Sequence, residues 1–283
     1  MLIPEHIIHK LFKEKPLPLV MGILNVTPDS FSDGNHYLQF DQALEHAKHL
    51  IDTGADLIDI GGESTRPGSQ AVSSEQEIHR VIPVIEAIRK FSEICISVDT
   101  RKHIVAKYAI QAGAEIVNDI SALRYDKNMV ELLNDYPQVG IILMHMQGEP
   151  STMQEDVHYN DVVENIMTFF QERLTFCNMH GIVKSRIFLD PGIGFGKYKT
   201  HNLSILANLE KLNCLNLPLV VGASRKRFIN DIFPSEPSDR LAGSLAATQA
   251  CLNAEIDIIR VHDVREHIQY IKVSSAIKSS KQL

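Results

Sequence analysis

The sequence predicts an α/β fold, a single-domain (β/α)8 TIM barrel. Three observations predict it: eight short apolar segments rich in β-branched residues, segments of helical periodicity between them, and a polar residue or glycine turn after each apolar segment. The 283 residues suit one such barrel, which commonly takes about 250 residues. No linker-like segment divides the chain, so residues 1–283 are predicted to form one domain, with residues 1–17 as an N-terminal extension before the first barrel strand.

The eight candidate strands are near-continuous runs of Val, Ile and Leu. Such runs are expected of parallel strands that are covered on both faces. In chain order they are PLVMGILNVT, ADLIDIGG, CISVDT, AEIVNDI, VGIILMH, RIFLDPG, PLVVGAS and IDIIRVHD.

Amphipathic helices are predicted between these segments. Residues 41–54 place their apolar side chains on one face. Residues 74–90 open with Ser74 and Glu77, which predict a capping box. Pro83 within this segment predicts a kink or a later helix start. The same alternation continues through residues 161–181 and 239–254.

The alternative architecture is an open, doubly wound sheet. The strand ends favour the barrel, because the carboxyl ends of all its strands meet at one mouth, where the active sites of such barrels lie. The polar and glycine residues at these ends are Asn25, Gly61, Gly62, Glu63, Asp99, Asn118, Asp119, His145, Asp190, Ser224, Arg260 and His262.

The overall composition excludes several classes of protein. A net charge of -7 argues against nucleic acid as a partner, because nucleic-acid binding usually needs a basic face, whereas a small anionic substrate remains compatible. The N-terminal segment does not resemble a signal peptide, and no stretch approaches the roughly 20 apolar residues of a membrane span. The four cysteines form no C-x-x-C pair, which indicates reduced thiols in a cytoplasmic protein.

Two carboxylates and an amide end three of the predicted strands. Asp99, Asn118 and Asp190 each have an alternative interpretation as a helix cap or turn former. At one mouth, however, carboxylates that accept paired N–H groups and an amide that both donates and accepts suit a flat heterocycle with an amino-pyrimidinone edge.

Cationic groups follow the last two strands. Lys226 lies after the seventh strand, and Arg260 and His262 end the eighth. The loops at these positions form the usual phosphate site of such barrels. Residues 225–227 can also be interpreted as a solvated basic turn. Arg260 interrupts an apolar strand, and a buried arginine needs an anionic partner.

The loops supply further candidates. The segment GGESTRPGS can bring Thr65 and Arg66 close to a substrate. Phe195, in the glycine-rich segment DPGIGFGKYKT, either stacks on an aromatic ligand or packs its own loop, and His145 is either structural or functional.

The first strand runs into the polar loop of MGILNVTPDSFSDG. Its Asn25 and Asp33 offer oxygen ligands that would suit Mg²⁺ held partly by substrate phosphates. The sequence shows no zinc-ligand spacing and no Ser/His/Asp nucleophilic arrangement.

Together these motifs resemble the dihydropteroate synthase family. MGILNVTPDSFSDG, GGESTRPG, SVDT, VNDI, LMHMQG, DPGIGFGK, GASRKR and RVHDV occur in order between residues 21 and 264. The resemblance implies a (β/α)8 barrel, usually homodimeric, and a cytoplasmic transferase of folate biosynthesis. It implies condensation of 7,8-dihydropterin-6-ylmethyl diphosphate with 4-aminobenzoate to give 7,8-dihydropteroate and diphosphate.

The resemblance also implies roles for individual residues. Asn25, Thr65, Arg66, Lys226, Arg260 and His262 are expected to be catalytic. The expected pterin site is Asp99, Asn118, Met144, Asp190 and Lys226. The expected diphosphate site is Asn25, Arg260 and His262, with Mg²⁺ near Asn25 and Asp33. The expected aminobenzoate site is Phe31, Thr65, Arg66, Pro67, Phe195 and Ser224.

The expected mechanism is an S_N1-like displacement in which two loops close over the reacting carbon, because a neutral arylamine needs no strong general base. Two alternative functions are a pterin-binding methyltransferase domain and a catalytically silent pterin-binding paralogue. The methyltransferase would not need STRPG and SRK beside a diphosphate site. The silent paralogue should lack some of the residues Asn25, Arg66, Lys226, Arg260 and His262.

Overall fold

A computed structural model describes residues 7–13, 18–27, 36–64, 71–150 and 152–280 of the chain. Eight parallel strands form its central sheet, in the order β6-β5-β4-β3-β2-β1-β8-β7. They are β1 (Leu19–Asn25), β2 (Leu57–Gly61), β3 (Cys95–Asp99), β4 (Ile116–Asp119), β5 (Gly140–Met144), β6 (Ile187–Asp190), β7 (Val220–Val221) and β8 (Ile258–Val261).

The two outer strands of this order, β6 and β7, meet and close the barrel. Leu189 forms a parallel bridge with Leu219, and its N–H donates to the Pro218 carbonyl oxygen at 2.9 Å. All eight strands lie within the segments predicted from the sequence, so the predicted barrel is confirmed.

Ten α-helices accompany the strands within the described ranges. They are α1 (Ile7–Phe12), α2 (His36–Asp52), α3 (Ser74–Arg89), α4 (His103–Ala112), α5 (Asn128–Asp135), α6 (Val162–Met179), α7 (Lys199–Ala207), α8 (Arg227–Asn230), α9 (Leu241–Asn253) and α10 (Val264–Ser280). Short 3-10 turns span Lys184–Arg186, Leu209–Leu215 and Pro237–Asp239.

The start of α3 differs from the sequence prediction. The capping residue is Ser73, whose side chain accepts from the Gln76 N–H, and the Gln76 side chain accepts in return from the Ser73 N–H. The predicted capping box of Ser74 and Glu77 is therefore wrong by one residue. A later helix start is also wrong, because α3 runs through Pro83 without interruption.

The register of the strands places polar residues at one level of the barrel. A parallel sheet directs every strand toward the same end, so the last residues of neighbouring strands are paired. The pairs at the carboxyl end are Asn25 with Gly61, Gly61 with Asp99, Asp99 with Asn118, and Met144 with Asp190.

Two apolar layers hold the barrel together. The larger lies between the sheet and the helices and contains outward-facing strand residues such as Val20, Ile58 and Val98. The smaller fills the amino-terminal end of the barrel, where α1 packs against residues at or near the strand starts, including Leu57 and Phe188. The carboxyl end is thus left for the polar residues.

Among the described residues, no helix combines the length and the apolar character needed to cross a membrane.

Candidate active site

A small cavity opens at the carboxyl end of the barrel. Its lining residues come from the ends of the strands and the loops that follow them. They are Asp99, Asn118, Ile120, Met144, Asp190, Gly192, Ile193, Phe195, Gly222, Lys226 and Arg260. Seven of these were predicted from the sequence as site residues. Asp190 and Arg260, which are 70 positions apart in the sequence, line the same cavity.

Arg260 is held between two carboxylates. Its Nε lies 2.7 Å from Asp59 Oδ2, and its Nη2 lies 3.2 Å from Asp99 Oδ2. Burial alone would lower the pKa of the guanidinium, but Asp59 and Asp99 raise it above the usual value. The anionic partners that a buried arginine requires are therefore supplied by the protein itself.

Asp99 and Lys226 have pKa values that converge from opposite directions. Burial and the neighbouring charge of Asp59 raise the pKa of Asp99 to about 8, against the opposing effect of Arg260. Burial and the nearby Arg260 lower the pKa of Lys226 to about 8, although Asp190 and Asp99 oppose this shift. Small changes in surroundings, such as a bound ligand, can move protons onto or off these groups near neutral pH.

Phe195 forms one wall of the cavity and supports Lys226. The Lys226 Nζ lies 4.1 Å from the centroid of the Phe195 ring, a cation–π geometry. Phe195 also packs against Ile120, Met144, Met146 and Met153. The ring therefore packs its own surroundings and also lines the cavity, and its stacking on an aromatic ligand stays a prediction.

The loop after β6 is held in place by hydrogen bonds from a buried lysine, Lys197. The Lys197 Nζ donates to the carbonyl oxygens of Gly192 at 2.9 Å, Phe195 at 3.0 Å and His145 at 3.2 Å. It also lies 2.9 Å from His145 Nδ1. Burial lowers the pKa of both Lys197 and His145 well below their usual values. His145 thus has a structural contact with Lys197, and a functional role for it stays a prediction.

The tight approach of this loop to the end of β5 requires glycine. Gly192 has φ +67°, and a Cβ there would lie 2.0 Å from the His145 carbonyl oxygen. The Gly192 N–H donates to Asp190 Oδ1 at 2.7 Å. This bond fixes the orientation of the Asp190 carboxylate in the cavity.

His262 and Ser224 form a pair beside the cavity. The Ser224 Oγ lies 3.1 Å from His262 Nδ1 and accepts the His262 backbone N–H at 3.3 Å. Burial and the positive charge of Arg260 lower the pKa of His262 to about 3. The imidazole is therefore neutral at pH 7, contrary to its treatment as a cation from the sequence. A Ser224 hydroxyl that donates to Nδ1 leaves Nε2–H as the imidazole donor.

Oxygen donors at the ends of β1 and β3 flank Gly61. Asn25 Oδ1 and Asp99 Oδ2 each lie 3.7 Å from the position that a Gly61 Cβ would occupy. Such hard donors fit Mg²⁺, which usually completes its coordination with water and substrate phosphates. In the part of the chain that the structure describes, no group of three or more His, Cys, Asp or Glu side chains could hold a metal ion.

Comparison with known proteins gives a consistent result. The family model "Pterin binding enzyme" matches residues 21–262. The dihydropteroate synthase of Escherichia coli (strain K12) is 47% identical over 265 residues, which cover 94% of this chain and 93% of that protein. The chain belongs to the family of pterin-binding enzymes.

Solved structures of dihydropteroate synthases share the fold at similar identity. The enzyme of Yersinia pestis, in a complex with a sulfonamide drug, matches with a TM-score of 0.88 and 44% identity, over 93% of this chain and 95% of that one. The enzyme of Xanthomonas albilineans, with 4-aminobenzoic acid, matches with a TM-score of 0.87 and 43% identity, over 93% and 94%. The present chain is likewise a pterin-binding enzyme that acts as a dihydropteroate synthase, a transferase of folate synthesis.

Five predicted site residues of this pterin-binding enzyme lie outside the described ranges. They are Phe31, Asp33, Thr65, Arg66 and Pro67. The residues that flank the second of these segments are described: the Lys102 Nζ bonds the Glu63 carboxylate on one side and the Val72 carbonyl oxygen, at 2.9 Å, on the other.

Two residues of the site were missed in the sequence. Asp59 lies in ADLIDIGG, where a carboxylate interrupts an apolar strand just as Arg260 interrupts IDIIRVHD. Two opposite charges in apolar strands of one barrel were the available signal. Lys197 follows the glycine-rich loop and resembles a surface residue, so only the structure reveals its burial.

Proposed function

We propose that the enzyme condenses 7,8-dihydropterin-6-ylmethyl diphosphate with 4-aminobenzoate by an S_N1-like displacement, releasing diphosphate. The observation that supports this most is the single cavity in which the carboxylates Asp99 and Asp190 adjoin the cations Lys226 and Arg260. The substrate combines a flat ring that carries N–H donors with an anionic diphosphate. Its site therefore needs carboxylates and cations close enough for one molecule to contact both.

The pterin would lie among Asp99, Asn118, Asp190 and Lys226, with Met144 along one face. Carboxylates accept from ring N–H groups, and the Gly192 N–H keeps Asp190 in a fixed orientation for this purpose. As the carbon–oxygen bond breaks, positive charge spreads from the methylene carbon into the ring. A carboxylate already directed at the ring, such as that of Asp190, stabilises that charge without reorganisation.

The leaving diphosphate would be received by Asn25, Arg260 and His262. Arg260 keeps its charge through Asp59 and Asp99, and its Nη1 takes part in neither ion pair. His262 Nδ1 faces Ser224 Oγ, which leaves Nε2 to donate a hydrogen bond to a phosphate oxygen. Asn25 and Asp33 would hold Mg²⁺, which when bound neutralises charge on the phosphate oxygens.

The second substrate would approach from the side of Phe31, Thr65, Arg66, Pro67, Phe195 and Ser224. An arylamine is neutral and nucleophilic at pH 7, so the site needs no strong general base. We extend the proposal to closure of the two loops TPDSFSDGNHY and STRPGSQ over the reacting carbon, which would exclude water. This assignment follows from the family resemblance, and Xanthomonas albilineans dihydropteroate synthase has been solved with 4-aminobenzoic acid.

The test of this function is the dependence of diphosphate release on the amine. Protein, Mg²⁺ and dihydropterin diphosphate are mixed with and without 4-aminobenzoate, and both diphosphate and dihydropteroate are measured. We expect equal amounts of the two products and little release without the amine. Release that ignores 4-aminobenzoate would count against this acceptor.

Arg260→Ala tests the assigned leaving-group role in the same assay. We expect turnover at saturating substrate to fall by about 100-fold, as when other preorganised electrostatic contacts are removed. Arg265→Ala, on the exposed start of α10, is the matched control and should leave turnover unchanged. Full turnover in Arg260→Ala would refute this role.

We also propose a homodimer that works in the cytoplasm. The family resemblance supports the dimer, and Ile232 and Phe233, which are 58% and 74% exposed, offer apolar surface for it. None of the four cysteines, all of them described, is in a disulfide, as expected in a reducing compartment. Light scattering of the purified protein tests the dimer: the mass of a single chain would contradict it. Detection of the protein outside the cytoplasm by cell fractionation would contradict the location.

A further inference from the structure

Asp59 is a buried carboxylate that the proposed mechanism does not use. It lies in the middle of β2, is fully buried, and is not among the residues that line the cavity. Burial of a carboxylate is unfavourable unless hydrogen bonds or opposite charges compensate for the lost water. Its partners are two side chains that do line the cavity.

A single oxygen of Asp59 binds both partners. Asp59 Oδ2 accepts a hydrogen bond from Arg260 Nε at 2.7 Å and one from Asn118 Nδ2 at 2.9 Å. Arg260 belongs to β8 and Asn118 to β4, and neither strand is a neighbour of β2 in the sheet. The contacts therefore cross the interior of the barrel and join strands that share no backbone hydrogen bonds with β2.

The acceptor-only chemistry of a carboxylate determines which end of the Asn118 amide faces the cavity. The Asn118 NH₂ group must turn toward Asp59, because the amide oxygen has nothing to accept there. The remaining atom, Asn118 Oδ1, is buried and has no hydrogen-bond partner among the described residues. Asn118 lines the cavity, so the group it can offer to a ligand is an acceptor.

We propose that Asp59 is a positioning residue of the pterin site: it fixes the Asn118 amide as an acceptor and holds Arg260 in place beside Asp99. The inference rests on the proposed function, because the N–H edge of the pterin is the ligand group that this acceptor would receive. Asp59 acts through its two partners and does not touch the substrate.

A double-mutant cycle at positions 59 and 118 tests the inference. In Asn118→Asp, two carboxylates face each other where an amide and a carboxylate were 2.9 Å apart. In Asp59→Asn, the new amide no longer forces the orientation of Asn118. In the double variant, the amide at position 59 can accept from Arg260 and donate to the carboxylate at position 118, which restores an acceptor in the cavity.

The measurement is calorimetric binding of 6-hydroxymethyl-7,8-dihydropterin, which carries the ring without the diphosphate. We expect each single variant to bind about 10- to 100-fold more weakly than the wild type. If the two substitutions were independent, the fold-losses of affinity in the single variants would multiply in the double variant. We expect the double variant to bind at least about 10-fold more tightly than that product. Asp257→Asn, a carboxylate substitution beside the start of β8 at the opposite end of the barrel, is the control and should leave binding unchanged.

Denaturation curves of all variants show whether they are folded at the binding temperature. A purely structural role for Asp59 would lower stability and leave the binding effects additive, and that result would overturn the proposal. Single variants that bind the pterin as tightly as the wild type would also overturn it. Failure of the wild-type protein itself to bind the pterin would contradict the proposed function, and is distinguishable because it does not depend on position 59.

Discussion

At the scale of single residues, the charges of the cavity depend closely on one another. The side chain of Asp99 is only 12% exposed, and it lies near the like charge of Asp59 as well as the opposite charge of Arg260. A group whose pKa differs between the folded and unfolded states makes stability depend on pH. The ionisation of Asp99 is therefore measurable without any substrate.

Asp99→Asn should become relatively more stable than the wild type as pH rises. The pKa of Asp99 is raised from 3.8 to about 8 in the folded protein. Between these values the folded state holds a proton that the unfolded state has lost, so the stability contributed by Asp99 is complete below pH 3.8 and is lost as pH rises toward 8. The difference in unfolding free energy between variant and wild type should grow by up to about 1.4 kcal/mol per pH unit.

Urea denaturation at half-unit intervals from pH 5 to pH 8 measures this difference. A difference between the two proteins that stays constant over this range would mean that Asp99 is already ionised in the folded state at pH 5, and the prediction would be wrong.

The residues that could be predicted from the sequence are those with a chemical signal of their own. Asp99, Asn118 and Asp190 end apolar strands, and Arg260 breaks one, so their position at the mouth followed from the fold class. Asp59 also interrupts an apolar strand, but its role depends on contacts with Arg260 and Asn118 across the barrel, which its own segment does not indicate. The lowered pKa of His262 could not be predicted from the sequence either, because it results from burial and from the charge of Arg260 in the folded protein.

At the scale of elements, the loop after β6 depends on a buried side chain for its shape. Lys197 joins three carbonyl oxygens of the loop and of β5's end, and so holds Phe195 against Lys226. Buried carbonyl groups that lose a partner are destabilising by about 1–3 kcal/mol each. Loss of the Lys197 hydrogen bonds should consequently alter both the loop and the wall of the cavity.

Lys197→Met should lower the free energy of unfolding by about 3 kcal/mol or more, because methionine keeps the length of the side chain but donates no hydrogen bond. It should also weaken pterin binding, because Gly192 and Phe195 line the cavity. Lys199→Met is the matched control: Lys199 is exposed and donates only a 3.3 Å bond to the Asp231 carbonyl oxygen.

Urea denaturation and calorimetry of the two variants measure these effects. The control should stay within about 0.5 kcal/mol of the wild type. Equal stability of both variants, or a destabilised Lys197→Met that binds pterin normally, would show that the lysine does not shape the cavity wall.

The type and order of the elements were predictable, whereas their ends were less so. Continuous apolar runs identified all eight strands, even β7, whose ladder consists only of Val220–Val221. The first turn of α3 was assigned one residue too late, because two serines precede the acidic residues and either could cap the helix. Helix α2 begins at His36, five residues before the predicted segment.

At the scale of the whole molecule, the residues of the candidate site and an apolar cluster that stabilises the fold lie at opposite ends of the barrel. The cavity lies at the carboxyl ends of the strands, while α1 packs into the amino-terminal end beside the turn at Lys184–Arg186. The segment before the first strand was described from the sequence only as an extension. Its Ile7 is 3% exposed and belongs to the same apolar cluster as the strand starts. Its contribution should therefore be to stability alone.

Ile7→Ala should destabilise the fold without changing the chemistry of folded molecules. Removal of a buried isoleucine side chain typically lowers stability by about 2–5 kcal/mol. Ile277→Ala, at a position that is 60% exposed on α10, makes the same chemical change at the surface and should alter stability by less than about 0.5 kcal/mol. Thermal and urea denaturation measure the stabilities, and kcat and KM are compared at a temperature where all three proteins are folded. A lower kcat in Ile7→Ala under those conditions would mean that the two ends of the barrel are coupled and that the separation along the axis does not hold.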